Sequence, residues 1–238
     1  SIYGDVRLGV TAYNESNDGN GVDLDIDNNA SRLGITGGVS EGNLSARFVY
    51  ERGLENDGGS GAEGIRDSYV SLTHTGMGTL SAGRMSTSYK KPGVAMDPLY
   101  DTGISGFNGT NAACAPAPCT PVKFNGGASH GLSNFTNGWT DGSIQYVSPN
   151  MGGLTINGGA YIDDSATETT KGDRHSYGLG AAFTTGGMTV GLQTLLLGDN
   201  PAVTNTPGEG EAYRLHANYA ASNGMKIGGS FELLDIES

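Results

Sequence analysis

Apolar and polar residues alternate with a period of two through most of this 238-residue chain. The pattern is plain in "IQYVSPNMGGLTINGGAYID", residues 144–163, where two alternating segments flank a turn that contains Pro and Gly. A period of two places successive side chains on opposite faces of a β-strand. Helical periodicity is absent, so the sequence predicts an all-β fold. Eleven strands are predicted, at residues 2–13, 30–37, 44–53, 65–74, 79–86, 141–148, 154–163, 175–184, 188–198, 211–221 and 225–235.

The connections between these strands alternate strictly between short and long. The short ones are "GGVSEG", "HTGMG", "SPNMGG", "TTGG" and "ASNG", and the long ones are residues 14–29, 54–64, 87–140, 164–174 and 199–210. Outer-membrane barrels combine short periplasmic turns with long external loops, whereas soluble sandwiches have long connections at both ends. The connections therefore predict an antiparallel up-and-down transmembrane β-barrel.

The two faces of each predicted strand differ in chemistry. In the strand at 44–53, Leu44 and Phe48 lie on one face, and Ser45 and Arg47 lie on the other. A soluble or surface-exposed all-β protein, such as an adhesin or a lectin-like binding protein, could show the same alternation with its polar face in water. Alternation alone leaves both interpretations open, and the asymmetry of the loops favours lipid at the apolar face.

Composition and charge exclude several other classes. The longest apolar runs fall far short of the roughly 20 residues that a membrane-spanning helix needs. The net charge of −12 argues against a nucleic-acid partner, because phosphate binding requires clustered Lys and Arg. The chain starts directly in a strand-like segment, so we expect any signal peptide to have been removed. The acids concentrate in three predicted loops, "NDGNGVDLDIDNN", "LENDGGSGAEG" and "IDDSATETTKGD".

No combination of residues predicts catalysis, a metal site or a cofactor. The histidines stand on separate segments, without a nucleophile and a carboxylate beside them. Cys114 and Cys119 are separated by four residues, two of them Pro, and a zinc site would need further ligands at suitable spacing. In an oxidising compartment we expect these two cysteines to form a local disulfide, and two free thiols are the alternative.

Several segments resemble the Gram-negative general, trimeric porins, in the order that the family has them. These segments are "IYGDVRLGV", "SRLGITGGVSEGNLSARFVYE", "RDSYVSLTHTGMGTLSAGR" and "IQYVSPNMGGLTINGGAY". The resemblance implies a bacterial outer-membrane channel for passive diffusion of small hydrophilic solutes and ions. It also implies a homotrimer in contact with outer-membrane lipid and lipopolysaccharide. Porins have about 16 strands, and this chain ends at "FELLDIES" after eleven, so the resemblance implies truncation at the C-terminal side.

The connection at 87–140 is far longer than the others, and a loop of that size in a compact fold is usually functional. Its start, "GRMSTSYKKPGVAMDPLYDTG", resembles the porin loop that folds into the lumen and narrows the pore. We therefore expect one barrel domain over residues 1–238, with a constriction loop at 87–140. The expected constriction residues are two loop acids and four inward arginines: Asp97, Asp101, Arg7, Arg32, Arg47 and Arg66.

Three of these arginines have the polar parity of their strands, whereas the resemblance alone places Arg66 inward. An opposed set of arginines and acids would create a transverse field across a narrow aqueous passage. The alternative is that the arginines pair locally with Asp5, Glu51 or Asp67 and only hold the strands in register. Arg84 has the opposite parity and is expected on the outer face.

Overall fold

The computed structural model describes residues 1–14, 22–28, 31–54, 64–96, 139–162, 175–198 and 210–236. These residues contain thirteen β-strands and one short α-helix. In chain order the elements are β1 (Ile2–Asp5), β2 (Leu8–Asn14), β3 (Val22–Asn28), β4 (Arg32–Glu41), β5 (Leu44–Gly53), β6 (Ile65–His74), β7 (Gly78–Ser86), α1 (Lys90–Met96), β8 (Trp139–Val147), β9 (Leu154–Tyr161), β10 (Ser176–Thr185), β11 (Met188–Leu197), β12 (Gly210–Ala220) and β13 (Lys226–Ile236). The helix is neither long nor apolar enough to cross a membrane.

Eleven of the strands form one continuous sheet in the order β1-β4-β5-β6-β7-β8-β9-β10-β11-β12-β13. Each strand pairs antiparallel with its neighbours, and from β4 onward the order in the sheet is the order in the chain. The predicted up-and-down antiparallel meander is confirmed. The strands β1 and β13 form the two edges of the sheet.

Tight turns join consecutive strands at one end of this meander, as the spacing of the glycines predicts. They occupy residues 42–43, 75–77, 148–153, 186–187 and 221–225. At the turn between β10 and β11, Gly186 and Gly187 have φ angles of 54° and 81°. A two-residue hairpin turn whose two central residues have positive φ is most easily made by glycine. The longer connections lie at the other end of the sheet.

The prediction of a single strand at 2–13 is wrong. The chain leaves β1 at Val6 and Arg7, where the Arg7 amide donates to Oγ of Ser31 and that hydroxyl donates back to the Arg7 carbonyl. These two hydrogen bonds replace the ladder, and β2 then pairs with β3 in a separate two-stranded sheet. The prediction of an acidic loop over 14–29 is also wrong. Residues 22–28 alternate Asp with apolar residues and form β3, which pairs with β2.

Two other connections differ from expectation. The predicted turn "GGVSEG" belongs mostly to β4, which continues to Glu41, so the turn itself is Gly42 and Asn43. The predicted all-β chain also contains α1 at the start of the long connection. Its first turn is capped by Oγ1 of Thr87, which accepts a hydrogen bond from the Lys90 amide. Seven residues are too few to show helical periodicity in the sequence.

Candidate functional site: the inner face of the sheet

The two faces of the sheet invert the arrangement of a water-soluble protein. On β12, Arg214 and His216 are 0% and 3% exposed, whereas Leu215, on the other face, is 53% exposed. Burying a Leu side chain stabilises a protein in water by about 2 kcal/mol, so an exposed apolar face of this extent marks contact with lipid or with another protein. We call the face of Arg214 and His216 the inner face and the opposite face the outer face.

A chain of ion pairs joins β1, β4, β5 and β6 on the inner face. The Nη2 atoms of Arg7 and Arg32 lie 2.6 Å and 3.5 Å from Oδ2 of Asp5. The Nε atoms of Arg32 and Arg66 lie 3.9 Å and 2.8 Å from the carboxylate oxygens of Glu51. Three guanidinium groups and two carboxylates thus form one group of five side chains. We call it the arginine wall.

A β-bulge turns Arg66 into this wall. Tyr50 pairs with Ser68, but Arg52 pairs with Ile65, so Glu51 lies opposite two residues of β6. Strict alternation would place Arg66 on the outer face, and the extra residue in the ladder shifts its side chain to the inner face. Arg66 and Glu51 are both buried there.

Two other arginines that the sequence analysis singled out, Arg47 and Arg84, lie apart from the wall. Arg47 is on the inner face, where its Nε donates to Oγ1 of Thr36 over 2.9 Å. Arg84 is opposite Ser68 and two residues from the exposed Ala82, which places it on the outer face, as its parity predicts. Its Nε donates to the Ile65 carbonyl over 2.7 Å.

The first residues of the long connection, which we call the loop root (residues 87–96), lie across the inner face. The Ser88 amide donates to the hydroxyl of Tyr161 on β9 over 3.0 Å. The buried ring of Tyr89 packs with Tyr161, Leu195 and Ala212 in a small apolar cluster. The helix α1 then lies against β12 and β13. The loop root therefore begins at β7 and reaches strands that follow it by more than a hundred residues.

Arg214 fastens the loop root to the sheet. Its Nη1 donates to the Tyr89 carbonyl over 2.8 Å, and its guanidinium carbon lies 4.5 Å from the centroid of the Tyr89 ring. The same guanidinium group pairs with Glu232 on β13, which also accepts a hydrogen bond from the Tyr89 hydroxyl. Burial, together with the negative charge of Glu232, raises the pKa of Tyr89, so this hydroxyl remains a donor at neutral pH. We call these three residues the Arg214 latch.

Glycines on the inner face leave room for this packing. A Cβ at Gly159 would lie 2.6 Å from the Tyr161 hydroxyl, and a Cβ at Gly178 would lie 3.1 Å from Oγ of Ser88. Both distances are shorter than ordinary van der Waals contact, so larger residues would lift the loop root from the sheet. Glycines therefore occur on the inner face because the loop root packs closely against it.

The structure places some of the predicted site residues in contact with one another. Arg7, Arg32 and Arg66 pair with Asp5 and Glu51, whereas Arg47 forms its hydrogen bond with Thr36 and no ion pair with a described acid. Asp97, Asp101, Cys114 and Cys119 lie outside the described residues, and the constriction assigned to the arginines and acids stays a prediction. The Arg214 latch and the position of Asp67 at the loop root were not predicted, because they depend on strand register and on the path of the loop. The only sequence signal was that Arg214 and Glu232 stand on the polar parity of neighbouring strands.

A sequence profile that describes Gram-negative porins matches residues 1–238. The chain belongs to the Gram-negative porin family. An anion-selective porin from Comamonas acidovorans has a similar fold, with a TM-score of 0.74 and 22% identity over 99% of this porin and 68% of that chain. Salmonella typhi OmpF, solved in complex with daunomycin, has a TM-score of 0.68 and 12% identity over 98% of this porin and 65% of that chain. The porin thus spans about two thirds of the length of these two proteins. Comparison with curated protein sequences found no match.

Family membership decides between the two interpretations of the alternating strands. Gram-negative porins are β-barrel channel proteins of the bacterial outer membrane and are not enzymes. The apolar outer face of the porin therefore belongs to the membrane, and the polar inner face belongs to the lumen. The alternative of a soluble adhesin or lectin-like protein is wrong.

Proposed function

We propose that this porin forms a water-filled passage through which small hydrophilic solutes and ions diffuse passively. The inverted sheet carries the proposal: charged and amide side chains cover the inner face, and large apolar side chains cover the outer face. An outer face of this kind favours contact with outer-membrane lipid and lipopolysaccharide. A polar inner face keeps water in the lumen, so polar solutes can cross without losing all their hydration.

Reconstitution of the full-length protein into planar lipid bilayers tests this proposal. We expect stepwise increases in current, each with an ohmic current–voltage relation, because the passage needs no energy source or bound carrier. Folding is checked separately by the faster gel migration that barrels show before heating. A folded barrel that inserts and carries no current would contradict the proposal.

We extend the proposal to the constriction, with Asp97 and Asp101 on the loop at 87–140 opposed to the arginines on the barrel wall. Two observations support it: the loop root lies on the inner face, and three arginines are gathered on that same face. Charges in a narrow, partly desolvated passage interact over longer distances than charges in open water. A field between the wall and the loop would orient dipolar solutes as they pass.

Charge removal tests the constriction. Replacing Asp97 and Asp101 with Asn should shift the reversal potential in a salt gradient toward anions, because the arginines lose their opposing charges. Replacing Arg32 and Arg47 with Ser should shift it toward cations. The control is Glu41→Gln at an exposed position beside a tight turn, where salt of physiological strength screens charges within about 8 Å. A strong shift in this control, with none in the loop variant, would contradict the assignment.

A homotrimer completes the proposed assembly. Gly4, Ala12 and Ala82 are small and exposed, and Gly4 and Ala82 lie on the outer face of the main sheet. Small residues allow two backbones to approach more closely than lipid contact requires. An apolar groove of about 670 Å³ also opens between β4 and β7, beside Phe48 and Leu72. These features favour packing against a second copy over this part of the outer face.

A further inference from the structure

A cleft of about 320 Å³ lies on the inner face between α1 and the strands β6 and β7. Residues of both signs and a large aromatic ring surround it. The residues that matter for its chemistry are Asp67, Tyr69, Ser81, Met85, Lys90 and Lys91. Lys90 is buried and has a partner of its own, so Lys91 is the ammonium group considered below. The cleft is separate from the arginine wall, although Asp67 directly follows Arg66 in the chain.

Asp67 differs from the other inward acids of this part of the sheet. The bulge opposite Glu51 turns Arg66 inward beside Asp67, which already has the inward parity of Tyr69, and Arg66 uses Glu51 as its partner. Asp5 and Glu51 are held in ion pairs, whereas Asp67 has neither an ion pair nor a hydrogen bond with any part of the chain that the structure describes. Its carboxylate oxygens line the cleft and accept no hydrogen bond from the described residues.

Lys91 supplies the opposite charge from the other side. Its Nζ donates to Oε1 of Gln145 over 3.0 Å, and it is not within ion-pair distance of a described carboxylate. Desolvation by surrounding protein atoms lowers the pKa of Lys91, and the negative charge of Asp67 opposes that shift. The carboxylate of Asp67 and the ammonium group of Lys91 thus face one cleft and interact electrostatically, but they do not form an ion pair.

We propose that this cleft is a binding subsite for small zwitterionic solutes that carry a carboxylate and an ammonium group. The solute carboxylate binds Lys91, the solute ammonium binds Asp67, and the chain between them lies against Tyr69 and Met85. An extended dipeptide spans about 7 Å, which separates its two charges beyond ion-pair distance, as the cleft requires. A simple anion or cation can pair with only one of these two side chains, whereas a zwitterion pairs with both, so the subsite favours the zwitterion.

This subsite rests on the proposed passage, but its chemistry differs from that of the proposed constriction. In the constriction the wall is positive and the loop is negative. In the cleft the loop root carries the cation and the wall carries the acid. A dipolar solute would therefore bind here in the orientation opposite to the one that the constriction favours.

Three related peptides test the subsite in planar bilayers with the full-length porin. Glycylglycine is a zwitterion, N-acetylglycylglycine is an anion and glycylglycinamide is a cation. We expect glycylglycine to add saturable noise to the open-channel current, because each binding event briefly obstructs the passage. The two singly charged peptides should add no saturable noise in the same concentration range.

Single-charge variants identify the residues. Asp67→Asn and Lys91→Gln should each weaken glycylglycine binding about tenfold, a loss typical of removing one partner of a desolvated charge pair. The exchanged variant, Asp67→Lys with Lys91→Asp, should recover part of the binding. Glu41→Gln and Lys226→Gln make the same charge changes at exposed positions beside the tight turns and should leave binding unchanged.

The outcomes separate the subsite from the passage. If the folded porin carries no current, the proposed passage fails. If it conducts normally but all three peptides add equal noise, the passage stands and the subsite is wrong. If Lys91→Gln abolishes binding and Asp67→Asn has no effect, the cleft binds anions only and the paired site is wrong. Open-channel current confirms that each variant has folded.

Discussion

Arg214 is completely buried in a part of the molecule where a lone charge could not remain. Removing a guanidinium group from water is costly unless other groups replace its hydration. Glu232 supplies the opposite charge, the Tyr89 carbonyl accepts a hydrogen bond, and the Tyr89 ring offers its face. The two contacts with Tyr89 fail together if the loop root leaves the sheet, whereas the pair with Glu232 on β13 remains. Arg214 therefore couples the position of the loop to its own burial.

Replacing Arg214 with Gln should release the loop root while the strands remain paired. Gln has no charge for Glu232 and cannot stack on Tyr89 in the same way, so docking should weaken by about 3 kcal/mol, as when a buried pair loses one partner. We expect faster proteolytic cleavage within residues 97–138 and single-channel currents that fluctuate between levels. Arg214→Lys should restore part of the steady current. Lys226→Gln, at an exposed turn, is the control, and wild-type behaviour of Arg214→Gln would show that Arg214 does not position the loop.

At the same scale, we predict that Cys114 and Cys119 are bridged after export to the periplasm, which is an oxidising compartment. The intact mass of unreduced protein should then be about two hydrogens below that of reduced protein, because one S–S bond replaces two S–H bonds. Alkylation of both thiols without prior reduction would contradict the bridge.

Among the elements, the sequence predicts best where alternation and glycine turns agree. The bounds of β5 and β6 are those that the pattern predicts, since each strand ends at a clear break in alternation. The sequence fails where a contact between distant residues decides. The strand β3 forms because β2 pairs with it, Arg66 turns inward because Glu51 faces two residues, and α1 is stabilised by strands far along the chain. Of these three features only β3 leaves a local pattern, the alternation of Asp with apolar residues over 22–28.

A glycine in β7 lies where the register between β7 and β8 shifts, and its substitution tests that irregularity. Gly83 has a φ of +133°, and a Cβ there would collide with the Ser68 carbonyl of β6. Gly83→Ala should therefore destabilise the barrel by about 1–3 kcal/mol, because an L-residue is strained in this conformation and has no space. The temperature at which the compact gel band disappears should fall. Gly229→Ala on β13, where a Cβ would have no neighbour within 4 Å, should leave that temperature unchanged. Equal effects of the two substitutions would contradict this explanation.

At the scale of the whole molecule, most large apolar side chains lie outside and the buried apolar cluster is small. Only lipid, or another copy of the chain, can cover that outer face. The sequence could predict this inversion because it depends on parity alone. The sequence could not predict which side chains contact each other on the inner face. Those contacts form only when the loop root lies across the sheet.

The homotrimer is tested at this scale. Light scattering of the detergent complex should give three chains per particle. Ala82→Leu should shift the particle toward a monomer, because a larger side chain disturbs close packing between copies although lipid would tolerate it. Ala217→Leu, on the outer face of β12, makes the same change away from the proposed contact and should leave the trimer intact. A wild-type protein that is monomeric at all concentrations would contradict the assembly.

The Arg214 latch also sets an order of events during assembly in the membrane. Tyr89 is 125 residues from Arg214 and 143 residues from Glu232 along the chain. Contacts of such long sequence separation form late, since the intervening chain must first be ordered. The loop root cannot find its place until β12 and β13 have joined the sheet, so the sheet exists before the loop root docks on it. Errors in docking should then produce an inserted barrel that leaks, and not an unfolded chain that quality-control proteases remove.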